Sequence, residues 1–465
     1  MIGGGLAGLS AGVALAEAGW HVRLFEQRPY LGGRATSYVL PDGEHVDNCQ
    51  HVTLGCCTNL EDFYRRVGSE NKIRFFDRLL FQDPQGRTGV MRAGILPAPL
   101  HMTGSFLTFA PLATADKASI GRALLDILRG QGHTPDLDVS GGLSMLEWLR
   151  RRNQTAGAIE RFWRVVLVSA LDEELDRTDA RFGVDVFWKA FLCNRAGYRM
   201  GVPSVPLAQL YGGCKSAIEH RGGEVNLRMP MRAIRHDGTT LTAVEFDNQC
   251  LETADAYVIA IPHQALAELL PPAIKEREPR LAQIEQIKVS PITGVHFWFD
   301  REIMSEPFVT LLDTTTQWIF NKTKLYREAN GRRAENGQYL QLVISASYDL
   351  LKKPRQEIVD LCLAEVRQAL PQSREAKLVK STVIKEASAT FSPEPGVDKL
   401  RPSQHTAVKG LYLAGDWTAT GWPATMEGAV RSGYLAAEAL LRDAGTPHSF
   451  LQPDLPVENL VKWFG

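Results

Sequence analysis

Gly3, Gly5 and Gly8 stand at the spacing G-x-G-x-x-G, and Glu26 follows eighteen residues past the last of them. Glycines at those places let a strand turn tightly into a helix and let backbone amides close on a pyrophosphate. Glu26 ends the run His21-Val22-Arg23-Leu24-Phe25, where a carboxylate can bond both hydroxyls of an adenosine ribose. Six residues later, Gly32-Gly33-Arg34-Ala35 offers paired amides and a guanidinium, a set that suits phosphate oxygens. Near the other end, Leu413-Ala414-Gly415-Asp416 is followed by Gly421-Trp422-Pro423-Ala424-Thr425-Met426-Glu427-Gly428-Ala429. A buried strand ending in Gly-Asp, then a small-residue helix start, can aim amides and one carboxylate at a polyol chain and a ring carbonyl. A bare strand-turn-helix connection would not need Asp416.

The elements that must position these groups follow from periodicity and breakers. The spacing predicts a helix from Leu9 to Ala18, a strand over His21 to Phe25, and helices over Ser144 to Arg152 and Ala156 to Asp172. Strand character returns at Gly222 to Leu227 and Ala256 to Ile261, and a helix can begin at Pro262-His263. Ile292 to Phe299, Tyr339 to Ser345 and Leu378 to Ile384 are further strands, and Ile358 to Leu370 is helical. Gly410 to Ala414 forms a short buried strand and Ser432 to Leu441 a small-residue helix. Nucleotide-type segments therefore lie at both ends and in the middle. The division is 1–75, 206–290 and 381–445 for the nucleotide unit, 76–205 and 291–380 for substrate-binding insertions, and 446–465 for a tail. The fold class is α/β: a discontinuous Rossmann-type dinucleotide domain with an inserted α+β substrate-binding domain. Only Met1 and Ile2 precede the glycines, whereas a central first strand usually takes about five residues. Either the natural chain starts a few residues upstream or the fold tolerates a stub.

Composition narrows the partners. The 465 residues suffice for two or three domains around a large core, and 52 basic against 53 acidic side chains leave no nucleic-acid footprint. Arg150-Arg151-Arg152 is the densest basic run and suits a solvated helix C-terminus. Seven scattered cysteines, without a C-x-x-C pair, point to a reducing compartment and to neither a disulfide framework nor a metal cluster. The apolar start lacks the basic region of a signal peptide. Ala93 to Ala115 contains no Asp, Glu, Lys or Arg, but Pro97, Pro99, Gly104 and Pro111 break a spanning helix. Such a segment packs inside the protein, lines an apolar tunnel, or dips into one leaflet. The apolar end Leu460 to Phe464 docks on the body or meets a membrane or a partner.

The three glycine motifs, in this order, resemble the FAD-binding amine oxidase and phytoene desaturase superfamily over nearly the whole chain. That resemblance implies FAD. It assigns Gly3, Gly5, Leu6, Ala7 and Gly8 to the pyrophosphate, and Glu26 to the ribose with Gln27 and Arg28 beside it. Gly33, Arg34 and Ala35 go to phosphate and ribityl, Met231 to adenine, Gly415 and Asp416 to the ribityl side, and Met426, Glu427, Gly428 and Ala429 to the flavin ring. Closer motifs are similar to the bacterial hydroxysqualene dehydroxylases of hopanoid pathways. These are Val46-Asp47-Asn48-Cys49-Gln50-His51 with Leu54-Gly55, Leu96-Pro97-Ala98-Pro99-Leu100-His101, Phe162-Trp163 to Leu171, and Ala414 to Gly428. Two positions depart from that pattern: Cys49 replaces glycine, and Asp172 stands where asparagine is usual.

The resemblance implies a reductive reaction, in which reduced FAD converts hydroxysqualene to squalene and water is released. An allylic hydroxyl would leave with a proton, and the delocalised cation would take hydride inside a dry tunnel holding the C30 isoprenoid. His51 and Asp47 are the candidate acids because their motif passes near the flavin; each also reads as a structural side chain. Tyr198 and Tyr211 are further candidates. No metal is implied, and a lipid substrate carries the expectation of a cytoplasmic enzyme peripheral on the cytoplasmic membrane. Three alternatives stand beside this one. Carotenoid-type desaturation or isomerisation shares the fold and the apolar substrates, with flavin accepting hydride. Amine oxidation usually places a lysine where Gly294 stands here. A flavin-free prenyl-protein chaperone keeps the fold alone.

Overall fold

The computed structural model describes residues 1–138, 142–247, 250–330 and 337–464. Its nucleotide-binding half is a parallel layer. Strand Arg23–Glu26 pairs with Glu224–Leu227, and Tyr257–Ile259 pairs with Leu411–Leu413. Ile2 joins the two pairs through parallel bridges to Phe25 and Ile259, so the stub before the glycines fills the central strand position with one bridging residue. Backbone bonds from Ile2 N to Val258 O (3.0 Å) and Gly3 N to Phe25 O (2.8 Å) fasten it from both sides. Tyr257–Ile259 and Leu411–Leu413 are buried throughout and Arg23–Glu26 nearly so, as parallel strands between helices must be, while the edge strand Glu224–Leu227 is partly exposed.

Helices Leu6–Glu17 and Met426–Asp443 pack against one another across this layer, with Leu9, Val13, Leu24, Val258 and Ala436 in one apolar cluster. Their approach depends on Gly433. A Cβ there would lie 2.1 Å from Ser10 Oγ and 2.3 Å from Ala7 O.

The second half is built on a seven-stranded sheet in the order Leu378–Phe391, Val289–Phe299, Gln338–Ile344, Trp318–Asn321, Phe308–Leu311, Arg78–Gln82 and Thr88–Arg92. Helices between Thr114 and Cys193 cover one side through a core holding Trp148, Trp163, Leu167 and Phe187. Along the chain, residues 78–92 and 289–391 come together only because the sheet joins them.

Several elements differ from the spacing-based reading. The first helix begins at Leu6, three residues earlier than predicted, because the glycine loop itself supplies its first turn. The strand predicted over Leu378 to Ile384 continues to Phe391, since the eleven-residue strand Val289–Phe299 pairs with it antiparallel from Leu378 to Phe391, with two register shifts. Ser432 to Leu441 is the centre of a longer helix that starts at Met426 under a Thr425 cap. No described helix is long and apolar enough to cross a membrane.

Candidate active site

The glycine loop forms its cradle by close packing. Gly3 has φ +106°, and a Cβ on Gly8 would fall 2.0 Å from Gly3 O. Gly5 caps the twelve-residue helix Leu6–Glu17 with no side chain, so the amides of its first turn point out unpartnered by a cap. Four such amides and the helix dipole form an anion site. The second loop lies alongside: Gly5 bridges Gly32, and a Cβ on Gly5 would stand 3.8 Å from Gly33 Cα. Glu26 is buried at its strand end, accepting Gly4 N at 2.6 Å and Arg28 N at 2.7 Å. Gln27 is exposed beside it, and Arg28 reaches Gly33 O at 3.3 Å. Met229 N donates to Glu26 O at 2.9 Å, which carries Met231 to the same end of the cradle.

Arg34 and Asp416, read from the sequence as separate ligands, are brought together. Arg34 donates to Asp416 Oδ1 at 2.6 Å and to Ala389 O at 2.8 Å. Ala35 is buried behind them. Gly415 takes φ +149°, where a Cβ would press into the Trp417 indole, and its amide is bound to Ser432 Oγ at 2.8 Å. Arg401, which no motif marked, is buried under the loop and donates to Asp416 O, Thr418 O and Trp422 O at 3.1, 2.6 and 2.8 Å. The helix starting at Met426 then presents its N-terminus, with Gly428 N on Thr425 Oγ1 at 3.0 Å. Met426 and Ala429 stand on this turn. The side chain of Glu427 corrects the sequence reading. It turns to the helix Thr58–Arg66 and accepts Leu60 N at 2.7 Å and Asn59 Nδ2 at 2.9 Å.

Asp47 is likewise a correction. Its carboxylate accepts Ser37 Oγ (2.7 Å), Leu207 N (3.0 Å), Lys322 Nζ (2.7 Å) and Tyr326 OH (2.8 Å). Burial alone pushes the group up, but the Lys322 charge and these donors outweigh it and hold Asp47 below the usual carboxylate range. A carboxylate so held carries no proton to give at neutral pH. Both side chains of the Asp47–Lys322 pair are 0% exposed, and Lys322 also donates to Gln50 Oε1 at 2.7 Å.

His51 keeps a different chemistry. Burial pushes its imidazole down, and Nδ1 donates to Cys49 O at 3.0 Å, so the neutral ring offers Nε2 as an acceptor. Tyr198 is occupied by Asp77 O (3.0 Å) and Ala93 N (2.9 Å), and Tyr211 lies buried against Gly32. Gly294 cannot be the root of a lysine without movement, because a Cβ there would stand 3.2 Å from Asn48 O.

The two departures from the dehydroxylase pattern meet in space. Burial, then the nearby Asp172 charge, pushes the Cys49 thiol up to about 12. Asp172 has φ +56° at the end of helix Arg164–Leu171 and accepts Ala346 N at 2.8 Å and Thr390 Oγ1 at 2.9 Å. Burial raises its carboxyl well above the usual range. It is the buried acid that the spacing did not nominate.

A cavity of about 310 Å³ is lined by Leu54, Phe81, Phe109, Phe162, Phe187 and Trp422 among others, and Val52, next to His51 in the chain, is part of its wall. Met426, Pro423 and Thr425 form one part of its wall, and Met102, Thr103 and Phe106 another. Its volume falls in the range of small-molecule sites, and its wall is overwhelmingly apolar.

The model of the family described as flavin containing amine oxidoreductase matches residues 6–441. The chain belongs to that family. This flavin-containing amine oxidoreductase is 28% identical over 95% of its length to a zeta-carotene desaturase of Synechocystis, covering 96% of that protein. It is 26% identical to a 15-cis-phytoene desaturase of Synechococcus elongatus, with 94% of each chain covered. Among solved structures, an oxidoreductase from Methanosarcina mazei aligns with TM-score 0.71 at 16% identity, covering 95% of this chain and 99% of its own. Putrescine oxidase bound to putrescine aligns with TM-score 0.69 at 17% identity, covering 95% and 98%. These last two show the fold. The protein is an FAD-dependent oxidoreductase, and the uncapped helix start, the Gly5–Gly33 approach and the Glu26 carboxylate fit that cofactor.

Proposed function

We propose that this enzyme dehydrogenates a long, apolar isoprenoid, with bound FAD supplying the hydride acceptor. Dehydrogenation takes a hydride and a proton from adjacent carbons and leaves a C=C bond. The observation that carries the reading is the apolar cavity, whose wall includes Met426 and Trp422 of the Gly415–Gly428 segment. Its residues align a hydrocarbon chain and exclude water, and it offers few groups to bind an ammonium or a sugar. His51 Nε2 is the neutral acceptor for the departing proton, and the ionised Asp47 with Lys322 anchors the strand His45–Asp47 from which the chain runs on to His51. The relatives' names, zeta-carotene and 15-cis-phytoene desaturase, support the same substrate class.

A second reading, reductive dehydroxylation of hydroxysqualene to squalene, is favoured by the Asp47–His51 and Ala414–Gly428 motifs and by Asp172. A carboxyl kept neutral by burial can give a proton to a leaving hydroxyl. Anaerobic mixing separates the two. Bleaching of the oxidised flavin by an acyclic polyene precursor such as 15-cis-phytoene supports desaturation. Reoxidation of reduced enzyme by hydroxysqualene, with squalene formed, transfers the assignment to the second reading. An unchanged spectrum in both arms overturns each.

A further inference from the structure

In the wall of an apolar cavity, a charged side chain is either paired away from the space or used within it, because a charge facing hydrocarbon is costly. Arg161 is paired away, donating to Asp313 Oδ2 at 2.6 Å and to Pro111 O at 3.1 Å. Glu427 is held by Leu60 N and Asn59 Nδ2. The remaining charged wall residues are Asp185 and Lys189, where helix Ala180–Phe187 runs into the helical turn Trp188–Leu192. Lys189 Nζ donates to the Asp185 carboxyl, and among the described residues neither side chain has a second hydrogen-bond partner. Burial raises the Asp185 carboxyl above its ordinary value despite the Lys189 charge beside it, the mark of a carboxyl short of donors.

Trp422 completes this corner. Cys56, Ala190 and Trp422 pack as one cluster, and Lys189 Nζ stands 5.2 Å from the centre of the indole. The ring is buried, yet among the described residues its N–H meets no acceptor. A buried donor left without a partner is destabilising, so its retention calls for a guest that accepts from it. The neighbouring polar groups are already committed. Arg431, 5.4 Å from the same ring, bonds Asp454 at 2.8 Å, and Thr425 Oγ1 accepts Gly428 N and donates to Pro423 O at 3.0 and 3.3 Å.

The geometry points to this corner as a subsite for one hydroxyl group on the isoprenoid, with Asp185 accepting its O–H while Lys189 and the Trp422 indole donate to its oxygen. The balance of donors and acceptors selects the class. A hydroxyl gives one hydrogen bond and takes two, so it satisfies the carboxyl and the unpaired N–H together. An ammonium would stand against Lys189, and a carboxylate or diphosphate against Asp185 with Glu427 in the same wall. A plain hydrocarbon would leave both groups as they are. This subsite rests on the proposed isoprenoid substrate and holds whichever way hydride moves.

Binding to the oxidised holoenzyme tests it without turnover. The protein is titrated with geranylgeraniol and with the hydrocarbon of the same skeleton that lacks the hydroxyl, followed by tryptophan fluorescence. The alcohol is expected to bind about tenfold more tightly, as hydrogen bonds to charged groups allow. The double variant Asp185→Leu, Lys189→Met should bind both ligands alike, with the flavin content and the hydrocarbon affinity of the parent. If that variant loses its flavin, Trp422→Phe, which removes only the indole N–H, must still reduce the preference. Equal affinities in the parent overturn the subsite, as does a preference that survives unchanged in the variant, or tighter binding of the corresponding amine or acid than of the alcohol. Failure of both ligands to bind overturns the isoprenoid reading and the subsite with it, whereas loss of the preference alone leaves that reading standing.

Discussion

Asp47 illustrates how one side chain changes meaning between sequence and structure. Its motif suggested an acid, yet three neutral donors and the Lys322 ammonium keep it ionised. Removing one partner of a fully buried pair leaves an unpaired charge, so Lys322→Met should cost about 3–5 kcal/mol in urea unfolding. A loss under 1 kcal/mol would show that the pair is not closed to water. Asp172 carries the opposite expectation. Its folded-state carboxyl is raised, so the folded protein holds a proton that the unfolded chain has released, and stability falls as pH rises above the ordinary carboxylate value. Asp172→Asn should therefore stabilise the protein at pH 7 and change it little near pH 4. His296 titrates the other way. Burial pushes it down to about 3, and its Nδ1 meets Tyr339 OH at 2.8 Å. The unfolded state then binds the extra proton, and stability is lost as pH falls below the ordinary histidine value, by about 1.4 kcal/mol per pH unit for this one group. His51, His101 and His263 are lowered too and add to the slope. His296→Gln should flatten the profile between pH 6 and 4.

At the scale of elements, the cradle depends on backbones that approach too closely for a side chain. Gly8→Ala would press a methyl to 2.0 Å from Gly3 O. Overpacking costs about 1–3 kcal/mol, so FAD affinity should drop about tenfold or more, read from the flavin absorbance retained after gel filtration. Gly433→Ala separates the helices Leu6–Glu17 and Met426–Asp443 instead, and should lower the melting temperature. Thr425 and Glu427 are each linked to a helix start, one to its own and one to Thr58–Arg66. The motif around residues 425–428 is therefore as much a joint between helices as a flavin contact. Spacing alone marked it as a site because the same small residues serve both ends.

For the whole molecule, the decisive feature is a chamber assembled from distant parts of the chain. Leu54, Phe81, Phe187, Trp318 and Trp422 meet there only because the seven-stranded sheet and the helices over it are folded together. Filling it should block a long substrate while leaving the cofactor untouched. Ala170→Phe, in the cavity wall, is expected to lower kcat/KM about tenfold with unchanged flavin content, a steric loss of about 1.4 kcal/mol. Equal losses of flavin and activity would place Ala170 in the fold rather than the substrate path.

The sequence by itself determined the cofactor half. Gly3 to Gly8, Glu26, Gly32 to Arg34 and Gly415-Asp416 sit within a few residues of the turns they create, so local spacing encodes their geometry. Tertiary structure alone decided what lies between. Lys322 reaches Asp47 across 275 residues, and Asn59 reaches Glu427 across 368. Arg401 disappears beneath its loop, and Asp172 comes to rest beside Cys49. A buried charge is settled by whichever partner the fold delivers, and no period along the chain records that partner.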